Sequence, residues 1–275
     1  MRIAQLAGQP VLLTRYGAVD VPAEYAEDLF LHWDDLRDWS RDATGGRPYD
    51  EAELEAPVPA PRQIFAVALN YRPHTAEAGY QEPEAPLVFT KFPTCLTGPH
   101  TTVELPDGHV DWELELVAVI GREARRVRVE KGWEPVVALT VGQDLSERIA
   151  QLAGRPAQFS LAKSHPGFGP VGPALVSLDE IDESGDRDDL ELTCELNGER
   201  VQHDRTSGMI FPIPELVAYL SEFCTLLPGD LIFTGTPAGV GNRRSPQRFL
   251  TPDDELVSRI GGVGEMRHRF RRTTP

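Results

Sequence analysis

Residues 111–121 read Asp-Trp-Glu-Leu-Glu-Leu-Val-Ala-Val-Ile-Gly, an apolar run whose first half carries an acid at every second position. In an extended chain successive side chains point to opposite faces. Glu113 and Glu115 therefore share a face with Val117 and Val119, while Trp112, Leu114, Leu116 and Ile120 take the other. The stretch reads as one buried strand, and at least the face of Trp112, Leu114, Leu116 and Ile120 needs cover from a sheet. Two carboxylates leaving water side by side cannot both stay ionised unless something neutralises them, and a hard divalent cation held by oxygen ligands does so. A strand whose acidic face is solvated has the same pattern. The stretch alone leaves both readings open.

A length of 275 residues suffices to bury a substantial core. No apolar run approaches the roughly 20 residues that span a bilayer, and the first residues lack the apolar stretch of a secretory signal. The expectation is a soluble, cytoplasmic protein with no membrane partner. The net charge of −16 argues against nucleic acid or an anionic membrane surface. It leaves room for an anionic substrate, since a metal or a few cationic side chains can reverse the field inside a cleft. Cys95, Cys194 and Cys224 lack paired spacing and read as reduced thiols in or near the core.

Along the chain, residues 1–23 suggest a short hairpin. Tyr25, Leu29, Trp33 and Leu36 then recur at helical spacing, predicting one amphipathic helix that ends before Gly45 and Gly46. Pro57, Pro59 and Pro61 stiffen an extended boundary, so a small N-terminal α+β module (1–61) is expected to precede a larger unit (62–275). The larger unit opens with a strand-like run at 64–69, followed by Asn70-Tyr71-Arg72-Pro73-His74-Thr75-Ala76-Glu77. Pro73 suits a first helical turn, which places His74 and Glu77 at i and i+3. Such a pair has the chemistry of a base and its orienting carboxylate, or of two surface residues.

Lys91 follows a second strand-like run, and Asp144 closes an apolar segment from which a third carboxylate could reach the rim of the sheet. Arg148 and Gln151 can share a helical face. The glycine- and proline-rich stretch after Lys163 reads as an ordered loop that sets that lysine in place. Asn197-Gly198 marks a hairpin. Residues 228–241 form a strand entering a glycine-rich turn, with neither a phosphate loop nor a dinucleotide fingerprint. Glycines there are expected to let the backbone approach a ligand.

Taken together, these pieces resemble the fumarylacetoacetate hydrolase family over residues 62–275. The resemblance rests on Asn-Tyr-x-x-His-x-x-Glu at 70–77, Phe-x-Lys at 89–91 and Asp-Trp-Glu-Leu-Glu-Leu at 111–116. It continues with Asp-x-Ser-x-Arg-x-x-Gln at 144–151, Lys163-Ser164, Asn197-Gly198, 209–211 and the Pro-Gly-Asp to Gly-Val-Gly stretch at 228–241. It implies an α+β, mainly β fold, the mixed β-roll, in a homodimer. It also implies Glu113, Glu115 and Asp144 as ligands of Mg2+, with Mn2+ or Ca2+ as substitutes. The implied substrate is a small anionic 2-oxo or 1,3-dicarbonyl acid of the acylpyruvate kind.

On that resemblance the expected reaction is hydrolysis of a carbon–carbon bond in a β-diketo acid, with the metal as Lewis acid for enolate charge. His74, oriented by Glu77, takes a proton from water. Arg148, Gln151 and Lys163 match oxyanion and substrate donors. Tyr71, Lys91 and Thr236 are expected substrate contacts, and the helix of His74 is expected to act as a lid. Three departures bear on the choice of substrate: Pro73 and Gly208 where many members have Asp, and His165-Pro166-Gly167 where many have Phe-Asp-Thr. Decarboxylation, isomerisation and hydration on the same site are alternatives, as is a binding protein without turnover.

Overall fold

The computed structural model describes residues 1–77, 79 and 81–273. Its central strand, Leu114–Ile120, is buried along its whole length. Leu114, Leu116, Ala118 and Ile120 enter one apolar core, and Val117 and Val119 enter a second on the opposite face. The alternation seen in the sequence therefore places Glu113 and Glu115 on the side of Val117 and Val119. Burying each such aliphatic side chain stabilises the fold by roughly 1.5–3 kcal/mol, so the strand is held in register from both faces.

Among the described residues this strand is part of an eleven-stranded sheet, flanked by Val136–Gln143 and Leu231–Phe233, both antiparallel to it. Leu231–Phe233 runs parallel to Ile64–Ala68, which pairs in turn with Leu87–Thr90 at the edge. Five further strands, with Glu191–Leu196, Glu255–Ile260 and Gly264–Arg272 among them, form a second sheet. Leu192, Leu256, Ile260, Met266 and Phe270 of that sheet share a core with Leu114 and Leu116. The result is a mixed β-roll with few helices. Asn197 and Gly198, with φ of 53° and 80°, make the expected tight turn.

The N-terminal hairpin has a third strand, giving Arg2–Leu6, Gln9–Thr14 and Gly17–Asp20. It joins the main sheet, with Ile3 opposite Leu175 of the strand Gly169–Ser177. The single helix expected after residue 24 is two, Ala23–Ala26 and Trp33–Asp42. The Asp28 carboxylate accepts the Leu31 N–H at 3.0 Å, a local bond that competes with helix continuation. Cys95 and Cys194 are buried, but Cys224, just past the helix Ile213–Phe223, is exposed.

The acidic stretch is not one unbroken strand. Val110–Asp111 pairs with Ser146–Glu147, and the ladder resumes at Leu114. Across the gap the Glu113 N–H donates to Gln143 Oε1 at 2.9 Å, and the Glu113 carbonyl accepts from the Asp144 N–H at 2.9 Å. The break ties Glu113 to the segment that supplies Asp144.

Candidate active site

Glu113, Glu115 and Asp144 each offer a carboxylate oxygen, and the three oxygens lie within 4.8 Å of one another. Their residues are 7%, 2% and 0% exposed, which decides between the two readings of the acidic strand: this face is not solvated. Both glutamates come from the central strand and its gap. Asp144 arrives from the end of Val136–Gln143, antiparallel to it.

Cations are packed into the cluster. Lys163 Nζ lies 2.6 Å from Glu113 Oε2 and 2.6 Å from Asp144 Oδ2. Lys91 Nζ donates to Asp144 Oδ1 at 2.7 Å, and to the carbonyls of Lys163 and Phe168. Arg148 sits 2.8 Å from Glu113 Oε1 and donates to Gln151 Oε1 at 2.9 Å. The helix Arg148–Leu152 that carries it is capped by the Glu147 carboxylate, which accepts the N–H groups of Ile149 and Ala150.

Glu115 has no cation within ion-pair distance among the described residues; its Oε2 accepts the Gly235 N–H at 2.8 Å. Burial, reinforced by Asp144 and Glu113, lifts its carboxyl well above the usual range. Burial opposes the charge of Glu113 too, but Lys163 and Arg148 outweigh it and hold that carboxyl at about 2. Burial likewise opposes the charge of Lys163, and Asp144 and Glu113 overcome it and raise the amine above its ordinary value. The protein's own cations thus leave one carboxylate of the triad uncompensated. That donor set of buried carboxylate oxygens fits a hard divalent cation.

Glu113 and Glu115 open into a cleft of about 820 Å³, lined also by Arg148, Gln151, Lys163 and Thr236 at its acidic end, while Asp144 lies behind them, fully buried. His74 lines the same cleft from the helix Arg72–Glu77. Its Nδ1 lies 3.4 Å from Glu77 Oε2, and the Gly239 N–H donates to both Glu77 oxygens at 3.2 and 3.3 Å. Burial works against an ionised Glu77, but hydrogen bonds from His74 and Gly239 outweigh it and lower its pKa. Pro73 occupies the first turn, as its fixed φ allows.

Two expected substrate contacts lie outside the cleft lining. Tyr71 is fully buried in the core, and its hydroxyl has no hydrogen-bond partner among the described residues. Lys91 is also fully buried, and its ammonium is spent on Asp144 and two carbonyls. Both residues follow an apolar run, and a sequence pattern does not tell a side chain that enters a cleft from one that supports its floor. Thr236 does line the cleft, with its hydroxyl donating to the Leu114 carbonyl and accepting from Gln202, each at 2.8 Å.

Sequence reasoning missed the part played by Asp111. Its Oδ2 accepts from Arg148 Nε at 2.9 Å and Nη2 at 2.7 Å, while its Oδ1 accepts the Gly241 N–H at 2.7 Å. A Cβ on Gly241 would fall 1.8 Å from the Arg248 carbonyl oxygen and 2.8 Å from Asp111 Oδ1, so only glycine permits this approach. The glycines of this turn therefore bring backbone up to Asp111 and Glu77, the protein's own carboxylates. The available signal was the acid that opens the alternation, two residues before Glu113.

Residues 63–271 match the model of the fumarylacetoacetate (FAA) hydrolase C-terminal family. The chain belongs to that family. Human oxaloacetate tautomerase FAHD2A, mitochondrial, is 38% identical over 219 residues, covering 79% of this chain and 69% of that one. The crystal structure of an HpcE-designated protein from Mycobacterium smegmatis is 51% identical, covers 100% of both chains and superposes with a TM-score of 0.91. Maleylpyruvate hydrolase from Sphingobium sp. SYK-6, in complex with manganese(II) and pyruvate, is 27% identical with a TM-score of 0.82, again over 100% of both chains. The names of the human tautomerase and the Sphingobium hydrolase both specify small oxo acids, and the carboxylate triad of this chain stands in the overall fold of the two solved structures.

Proposed function

We propose that this protein is a divalent-metal-dependent hydrolase that cleaves a carbon–carbon bond in an acylpyruvate-like 2,4-dioxo acid. The observation that carries this reading is one cleft lined by His74 and by Glu113 and Glu115, with Glu77 beside the imidazole and Asp144 beside the two glutamates. Glu113, Glu115 and Asp144 would hold Mg2+ or Mn2+, which when bound supplies a Lewis acid for the 2-oxo acid end of the substrate. The complex of the similar maleylpyruvate hydrolase with manganese and pyruvate supports a divalent metal and an oxo acid as ligands of this fold.

The chain's own residues supply the rest. His74, with Glu77 fixing its tautomer, removes a proton from water. The oxygen of that water attacks the carbonyl at C4. Arg148 keeps one N–H beyond those spent on Asp111, Glu113 and Gln151, Lys163 keeps one beyond those spent on Glu113 and Asp144, and Gln151 keeps its amide N–H2, because Arg148 uses only its oxygen. These donors face the charge that develops on the attacked oxygen. The bond between C3 and C4 then breaks, the acyl group leaves as a carboxylic acid, and C3 regains a proton. A homodimer in the cytosol completes the proposal.

Keto–enol tautomerisation of oxaloacetate is the second reading, favoured by the name of the 38%-identical human relative. It uses a base and a metal but consumes no water. The two separate in one experiment: acetylpyruvate and oxaloacetate are each incubated with Mn2+-loaded protein, with and without chelator, and products are identified by mass. Cleavage of acetylpyruvate that stops with chelator is expected, together with a loss of about 100-fold or more in His74→Ala and little change in oxalate binding. Unchanged cleavage in that variant overturns the assigned base. Enol–keto equilibration without any cleavage transfers the site to the second reading.

A further inference from the structure

The cleft is much larger than its acidic end, and its far part is of another character. Val88, Phe89 and Phe159 form an apolar wall, with the two rings edge to face at 5.5 Å between centroids. This wall begins at the triad, because Lys163 Nζ lies 5.1 Å from the centre of the Phe89 ring. Asn242 and Arg243 also line the cleft, from the short turn Gly241–Arg243. That turn is anchored, for Asp111 accepts the N–H groups of both Gly241 and Asn242, at 2.7 and 2.9 Å.

The segment has three arginines, and their pairing differs. Arg244 is paired with Glu199 at 3.0 Å, and Arg248 with Asp254. Arg243 has no carboxylate within ion-pair distance among the described residues, and of the three it is the one that lines the cleft. The other cleft cations, Arg148 and Lys163, are already neutralised by Asp111, Glu113 and Asp144. In a chain of net charge −16, a guanidinium on an anchored turn in the cleft lining, with Glu77 within its electrostatic reach but no carboxylate in contact among the described residues, is an anion receiver.

We propose that Arg243 is a specificity residue that binds a second, terminal carboxylate of the substrate, the chain between the two acid groups lying along the Phe89–Phe159 wall. The inference rests on the preceding reading for the 2-oxo acid end. It narrows the substrate class to oxo acids whose apolar or unsaturated arm ends in an anion.

The test is calorimetric binding of two inert ligands of matched length to Mn2+-loaded protein: 2-oxoadipate, with a terminal carboxylate, and 2-oxohexanoate, with a terminal methyl. The parent is expected to prefer 2-oxoadipate by about tenfold. Arg243→Gln is expected to abolish that preference while leaving the 2-oxohexanoate Kd within about twofold, and Arg244→Gln to keep it. A preference that survives in Arg243→Gln overturns the assignment, as does equal weakening of both ligands. Equal binding of the two ligands by the parent overturns it while leaving the acid-end reading intact, and a parent that binds neither overturns both.

Discussion

Asp111 Oδ2 accepts two hydrogen bonds from Arg148, at 2.9 and 2.7 Å, inside a site where Asp111 is fully buried and Arg148 is 7% exposed. The same carboxylate holds the Gly241 turn through its other oxygen. One side chain thus positions a cation of the candidate active site and the loop that faces it.

Asp111→Asn keeps the shape but removes the charge that balances Arg148. Breaking a buried pair by removing one partner costs about 3 kcal/mol or more. Urea unfolding is expected to show a loss of that size, and turnover is expected to fall at least tenfold as the guanidinium loses its orientation. Equal midpoints and equal turnover in parent and variant would contradict the positioning role.

Glu115 is the triad member that burial and its acidic neighbours push towards the neutral form. In protein stripped of divalent ions, Glu115→Gln should therefore leave the thermal midpoint unchanged or higher, because it deletes a disfavoured charge and its Oε1 can still accept from Gly235. Saturating Mn2+ is expected to stabilise the parent by roughly 2.7 kcal/mol at a hundredfold excess over Kd, and the variant should lose most of that gain. Scanning calorimetry with Mn2+ and with chelator reads both effects; an undiminished Mn2+ shift in Glu115→Gln removes Glu115 from the ligand set.

His268 is fully buried, its Nε2–H donating to the Gly98 carbonyl at 3.2 Å and its Nδ1 unpartnered among the described residues. Burial drives its pKa down to about 4, against the partial support of that hydrogen bond. A folded-state value below the unfolded one means that the unfolded chain takes up the proton first. Stability from the neutral ring is complete above about pH 6.5 and drains away as the pH falls towards 4, by about 3 kcal/mol. Comparing parent with His268→Gln isolates this contribution from the carboxylates: the gap in unfolding free energy should narrow by that amount between pH 7 and pH 4. A gap independent of pH disproves it.

Alternation along residues 111–120 determined which face each side chain takes, and so placed Glu113 and Glu115 with Val117 and Val119. The Asn197-Gly198 turn and the His74–Glu77 spacing were equally legible, because each depends on residues within a few positions of one another. Only the tertiary structure decided that Lys91 and Tyr71 are buried outside the cleft lining, that Asp111 joins Arg148 to Gly241, and that Arg2–Leu6 extends the main sheet. Those outcomes turn on pairings such as Lys91 with Asp144 or Asp111 with Gly241, 53 and 130 residues apart. Local periodicity records which way a side chain points; burial and charge compensation depend on what the rest of the chain brings to meet it.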